Sequence, residues 1–177
     1  KAELVPLKST LIILDSVAAP AGAPPRVSPE GTEIHFAKAW RRSACQSLAY
    51  PSFEGEKEVA LPDDLAGEQP EFSGFVRYEN SFESRAGEQL VLEITDAHEG
   101  VELFINGESL GIQIAPPFIY DIAPKVRKGE NLVRIEVATT LEREMAARDD
   151  QPQMIPGRAE KPTCPSGING VVRLIKN

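Results

Sequence analysis

The sequence predicts an all-β fold, an antiparallel β-sandwich. Three observations carry that expectation. Short stretches of alternating apolar and polar residues recur along the chain. Turns rich in Gly and Pro separate them. Little of the sequence has the periodicity of an amphipathic helix. The clearest stretch is Val101–Gly111, where Val101, Leu103 and Ile105 alternate with Glu102 and Phe104. Asn106-Gly107 follows, two residues that tolerate the positive φ of a type I′ hairpin turn. Leu110 falls on the return strand, and Gly111 marks a bend or a close backbone approach. This hairpin is expected at the centre of the fold, with the other strands added around it.

In chain order, Thr10–Leu14 reads as a short strand of strong β-formers, so residues 1–15 are expected to be the end strand of a preceding domain. Residues 16–31, dominated by Ala, Pro, Gly and Ser, read as a linker, because such a segment buries too little apolar surface to order itself. Residues 32–177 are then the sandwich domain. A start at Lys1 suggests a fragment or a processed chain. Thr32–Trp40 is expected to be the first strand of the body, and Ser47–Pro70 a long loop lying on the sandwich surface. Phe72–Phe82 is a long strand with Val76, Tyr78 and Phe82 on one face and Arg77, Glu79 and Ser81 on the other. Gln89–Thr95, Phe118–Ile122, Leu132–Ala138 and Gly170–Lys176 are further strands. Pro124–Gly129 reads as a single helical turn. Leu141–Asp150 reads as a short surface helix or an ordered loop, and Gln151–Pro165, with its four prolines, as an extended connection.

Composition excludes several classes of function. The chain has 177 residues, enough for one ordinary core, and a formal net charge of -8. That balance argues against nucleic acid or an anionic membrane as a partner, since both select basic patches. No apolar run approaches the roughly 20 residues of a bilayer span, so the expectation is a soluble chain, secreted or cytoplasmic. Cys45 and Cys164 read as two unpaired thiols. Neither has a second Cys or a His at metal-ligand spacing, so no metal site is expected.

Five segments, taken in order, resemble the sugar-binding jelly roll of glycoside hydrolase family 2 and related large glycosidases. Phe72-Ser73-Gly74-Phe75-Val76-Arg77-Tyr78-Glu79 resembles its opening strand, and Val101–Gly111 its "V-x-V-N-G-x-x-L-G" hairpin. Pro117-Phe118 with Asp121-Ile122 resembles "P-F/Y-x-x-D-I", and Gly129-Glu130-Asn131 with Leu132–Val137 resembles "G-x-N-x-L-x-I-x-V". Ser166-Gly167-Ile168 with Val172 and Leu174 resembles the closing "S-G-I/L-x-G-P-V-x-L" strand. Val171 stands where some family 2 enzymes carry an acidic residue that reaches a neighbouring barrel's active site. In this respect the chain is similar to the C-terminal modules of rhamnosidase-like and other large glycosidases. The resemblance implies a galactose-binding-domain-like jelly roll, an accessory domain beside a separate catalytic barrel. Its implied partners are carbohydrate, the catalytic domain of the parent enzyme, or both. No cofactor is expected. Structural calcium occurs in such modules, but no Asp-x-Asp run supports it here.

The residues carry no catalytic signature. Glycoside hydrolysis needs two carboxylates flanking the scissile bond, and none of the acids sits in such a motif. Glu93, Glu102 and Glu136 read as solvated outward positions, and Asp96 and Asp121 as turn caps. His35 reads as structural or surface. Sugar binding asks for an aromatic face and polar groups in a concave site. Trp40 and Tyr78 read as core. Tyr50 and Phe53, on a loop, either form a platform or plug the end of the sandwich, with the plug favoured. His98 and Glu99 lie on the loop before the hairpin and Asn169 in the closing segment, so these five residues are the ligand-binding candidates. The sequence leaves two rivals: a protein–protein interaction sandwich without sugar affinity, and a free-standing enzyme.

Overall fold

The computed structural model describes residues 29–85, 87–148, 162 and 164–177. The end strand at residues 1–15, most of the 16–31 linker and nearly all of the 151–165 connection lie outside the described residues. The strands are β1 (Thr32–Ile34), β2 (Trp40–Gln46), β3 (Glu54–Val59), β4 (Gly74–Ser84), β5 (Leu90–Ile94), β6 (Gly100–Ile105), β7 (Glu108–Gln113), β8 (Phe118–Asp121), β9 (Gly129–Ala138) and β10 (Val172–Lys176). They form a four-stranded sheet in the order β1-β10-β5-β8 and a six-stranded sheet in the order β3-β2-β4-β9-β6-β7. Every pairing is antiparallel. Two short helices, α1 (Leu65–Glu68) and α2 (Glu142–Ala147), sit in the connections.

The core follows from alternation. On the six-stranded sheet Val76, Tyr78 and Phe82 of β4, Val133, Ile135 and Val137 of β9, and Val101, Leu103 and Ile105 of β6 turn inward. Leu90, Leu92 and Ile94 of β5, Phe118 and Tyr120 of β8, and Leu174 of β10 meet them from the other sheet. Burying one such side chain is worth about 1.5–3 kcal/mol, and this shared core holds the two layers together.

The hairpin forms as the sequence predicts. Asn106 has φ 53° and Gly107 φ 85°. The Asn106 side chain donates to the Lys125 carbonyl at 3.0 Å and accepts the Leu132 amide at 3.1 Å. Gly111, at φ 93°, lies where the β6–β7 register shifts between Glu102 and Phe104, so it is the bulge residue of that hairpin. The hairpin is not central, however: β7 is an edge strand. At that edge Gln113 spans the gap between the sheets. Its Nε2 donates to the Ile119 carbonyl at 2.7 Å and its Oε1 accepts the Ile119 amide at 3.2 Å.

Three expectations need correction. Thr32–Trp40 is not one strand. The chain leaves the four-stranded sheet after Ile34 and enters the six-stranded sheet at Trp40, with Phe36 packed edge-on against Trp40 at 4.8 Å between centroids. The Ser47–Pro70 loop contains β3, an edge strand that escapes a hydrophobic reading because five of its six residues are exposed. Glu93 and Glu136 are not solvated. They are 7% and 4% exposed, because strands on both sides and arginine side chains cover them.

Candidate functional site

The loop before β6 and the segment before β10 meet at one corner of the sandwich. The His98 amide donates to the Gly167 carbonyl at 3.0 Å. His98 Nδ1 lies 3.0 Å from Asn169 Oδ1, and Asn169 Nδ2 donates to the Asp63 carbonyl at 3.0 Å. The amide oxygen can only accept, so Nδ1 donates this hydrogen bond. Two of the candidate residues thus meet directly, and Asn169 is held in turn by Asp63, a residue the sequence did not single out.

Asp63 anchors a buried polar network. Arg42 Nη1 donates to both its carboxylate oxygens at 2.7 and 2.9 Å, and the Tyr78 hydroxyl donates to Oδ2 at 2.7 Å. Arg42 Nη2 also donates to Glu68 Oε2 at 2.5 Å, an oxygen shared with Lys57 Nζ at 2.6 Å. Arg42 is 3% exposed. Burial opposes its charge, but hydrogen bonds and the charges of Asp63 and Glu68 outweigh that and raise its pKa. Burial first, then the charge of Asp63, pushes the Tyr78 hydroxyl far above its ordinary value, so it stays a neutral donor. Glu68 is held below the usual carboxylate range by Lys57 and Arg42.

The same network explains the Ser-Gly-Ile signature. Asp64 Oδ1 accepts the Ala66 amide that opens α1 and also the Ser166 amide at 2.9 Å. Gly167 has φ +96°, and a Cβ there would stand 2.2 Å from the Tyr78 hydroxyl oxygen. Only glycine fits. Ile168 is fully buried, and its amide donates to the same hydroxyl at 3.3 Å. The corner is a latch that fastens the closing segment to β2 and β4.

Beside the latch lies a small cavity of about 10 Å³, lined among others by His98, Glu99, Thr139, Glu142, Arg143 and Cys164. That is room for about one water molecule. Of the five candidates, His98 and Glu99 border this cavity, Asn169 belongs to the latch, and none of the three faces a cleft of sugar size there.

Tyr50 and Phe53 lie elsewhere. Their rings are 6.0 Å apart, and Tyr50 is 4.7 Å from the ring of Phe75. The Arg77 guanidinium stacks over Phe53 at 3.6 Å from its centroid and donates to Glu136 Oε1, while the Tyr50 hydroxyl donates to Glu136 Oε2 at 3.1 Å. The pair covers the outer face of the six-stranded sheet. It plugs no end of the sandwich, because the residues it packs on are outward positions of β4 and β9.

Both buried acids are matched by cations: Glu136 by Arg77 and Glu93 by Arg173, each at 2.9 Å. Cys45 is buried and Cys164 exposed, and both are free thiols. Among the described residues no group of three or more His, Cys, Asp or Glu could hold a metal ion. No helix among them is long and apolar enough to cross a membrane. The sequence reading missed the Arg42–Asp63–Tyr78 network. The one available signal was Arg42 at an inward-facing position of β2, between Trp40 and Ala44.

No protein-family model matches the chain, and no curated protein matches it. Solved structures do. A rhamnosidase from Novosphingobium sp. PP1Y is similar with a TM-score of 0.64 and 25% identity, covering 86% of this chain and 16% of that one. A β-glucuronidase from Ruminococcus gnavus has a TM-score of 0.61 at 15% identity, covering 86% and 30%. A β-D-glucuronidase from Dictyoglomus thermophilum has 0.57 at 16%, covering 83% and 29%. The chain therefore spans less than a third of the length of these enzymes. Its fold is that of a part of large glycosidases, in keeping with the family 2-like order of its motifs.

Proposed function

We propose that this chain is a non-catalytic accessory domain of a larger glycoside hydrolase, a galactose-binding-like jelly roll that buttresses the catalytic domain and holds carbohydrate beside it. The observation that carries the reading is the match of 86% of this chain to 16% of a rhamnosidase. A fold that accounts for so small a share of an enzyme, with its buried acids tied up by arginines, is suited to support and not to hydrolysis. The latch supports the same reading. It spends the Ser166–Asn169 segment on rigidity, and a rigid corner is what a docking surface between domains needs.

Sedimentation of the chain with the separately produced remainder of its parent enzyme tests the buttressing role. A stable one-to-one complex is expected. Two non-interacting species would remove that role.

A further inference from the structure

A larger concavity opens between α2 and the turn Gln69–Ser73 that leads into β4. It is an open groove of about 570 Å³, a volume within the range of about 300–1,000 Å³ usual for small-molecule sites. Its walls are fixed to each other. Arg143 Nη1 donates to the Pro70 carbonyl at 3.2 Å, and the Glu144 amide donates to Ser73 Oγ at 3.2 Å. The turn is closed by the Phe72 amide donating to the Gln69 carbonyl at 3.1 Å. Phe72 lines the groove half-buried. Its ring keeps that place because residue 74 is glycine, where a Cβ would come within 3.0 Å of the ring and 2.2 Å of the Cys45 carbonyl oxygen.

Gln46, Gln69 and Glu71 line the groove and are exposed. None of the three side chains has a partner among the described residues. Glu144 and Arg148 complete the wall and are paired with each other at 2.7 Å.

We propose that this groove binds a neutral saccharide. A pyranose has an apolar C–H face and a rim of hydroxyls, each able to donate and accept. Phe72 offers an apolar surface for the first. The two amides, each with a donor and an acceptor end, and the Glu71 carboxylate as acceptor suit the second. Among the described residues Glu71 and Glu144 place two carboxylates on the groove and Arg148 one guanidinium, with that of Arg143 at its rim on the Pro70 carbonyl. The net charge of -8 on the chain disfavours uronic acids and phosphates relative to neutral sugars. The choice of ligand class rests on the accessory-domain reading above.

The test is titration of the isotope-labelled chain by heteronuclear NMR with neutral mono- and oligosaccharides containing rhamnose or galactose, and with D-glucuronate. Saturable shifts are expected at the amides of Gln46, Gln69, Glu71 to Ser73 and Glu144 to Arg148. A neutral sugar should bind with a Kd of about 1 mM, about tenfold or more tighter than glucuronate. The exposed substitution Gln69→Ala should weaken binding about tenfold without unfolding the chain, and Phe72→Ala should abolish it. Tyr50→Ala should leave it unchanged. No saturable shift with any neutral saccharide would overturn the proposal. So would shifts confined to the Tyr50–Phe53 face or the His98 corner, or a preference for glucuronate. Any of these leaves the buttressing role standing, because that role falls on separate evidence, two non-interacting species in sedimentation.

Discussion

Gly167 and Arg42 do the most to fix the corner of the sandwich, and each makes a sharp expectation. Gly167→Ala combines a positive φ with a Cβ driven into the Tyr78 hydroxyl, and Tyr78 is fully buried and hydrogen-bonded to Asp63. The substitution should cost about 2–4 kcal/mol in denaturant unfolding. A loss below about 0.5 kcal/mol would mean that the closing segment is not latched as described. Arg42→Ala strands the Asp63 carboxylate without its cation and should cost about 3–5 kcal/mol. Arg41→Ala, one residue away, removes a half-exposed arginine paired with Glu56 and should cost less than about 1 kcal/mol. Equal costs would contradict the burial assigned to Arg42. The sequence made Gly111 and Asn106-Gly107 legible, because turn and bulge chemistry is local. It hid Arg42, whose partners Asp63 and Glu68 are 21 and 26 positions away.

At the scale of elements, alternation identified β4, β5, β6, β9 and β10 because each has one face on the shared core. It failed for β3, whose EGEKEV sequence has no buried face, and for the break between β1 and β2, where aromatic packing of Phe36 on Trp40 decides the path. It also misplaced Glu93 and Glu136. An acid on an outward face looks solvated until the arginines of neighbouring strands are known. The last strand carries a pH dependence. Glu88, in the turn before β5, accepts the Arg85 amide at 2.9 Å and the Lys176 ammonium of β10 at 2.7 Å. These hold its pKa at about 2, below the usual 4.5. The folded pKa is depressed, so the unfolded chain binds more protons in acid. The stabilisation from Glu88 is complete above about pH 4.5 and is lost as the pH falls toward about 2. Glu88→Gln should flatten the unfolding free energy against pH across that window. Identical slopes in the two proteins would contradict the pairing of the turn with β10.

For the whole molecule, the all-β sandwich and the family 2-like motif order were both legible in the sequence, and the likeness to parts of glycosidases agrees with them. The candidate site was legible only in pieces. His98 and Asn169 do meet, but as parts of a latch, and Tyr50 and Phe53 lie on an outer sheet face. The groove at Phe72 gave no sequence signal, since Gln46, the Gln69–Ser73 turn and α2 are joined only by tertiary packing. We propose that this fold supports a glycosidase without performing its chemistry. The most direct measurement is hydrolysis of aryl α-L-rhamnoside and aryl β-D-glucuronide by this chain alone and by the longer enzyme containing it. Turnover of a glycoside is expected from the longer enzyme and none from the chain alone. Turnover by the chain alone would contradict the proposal.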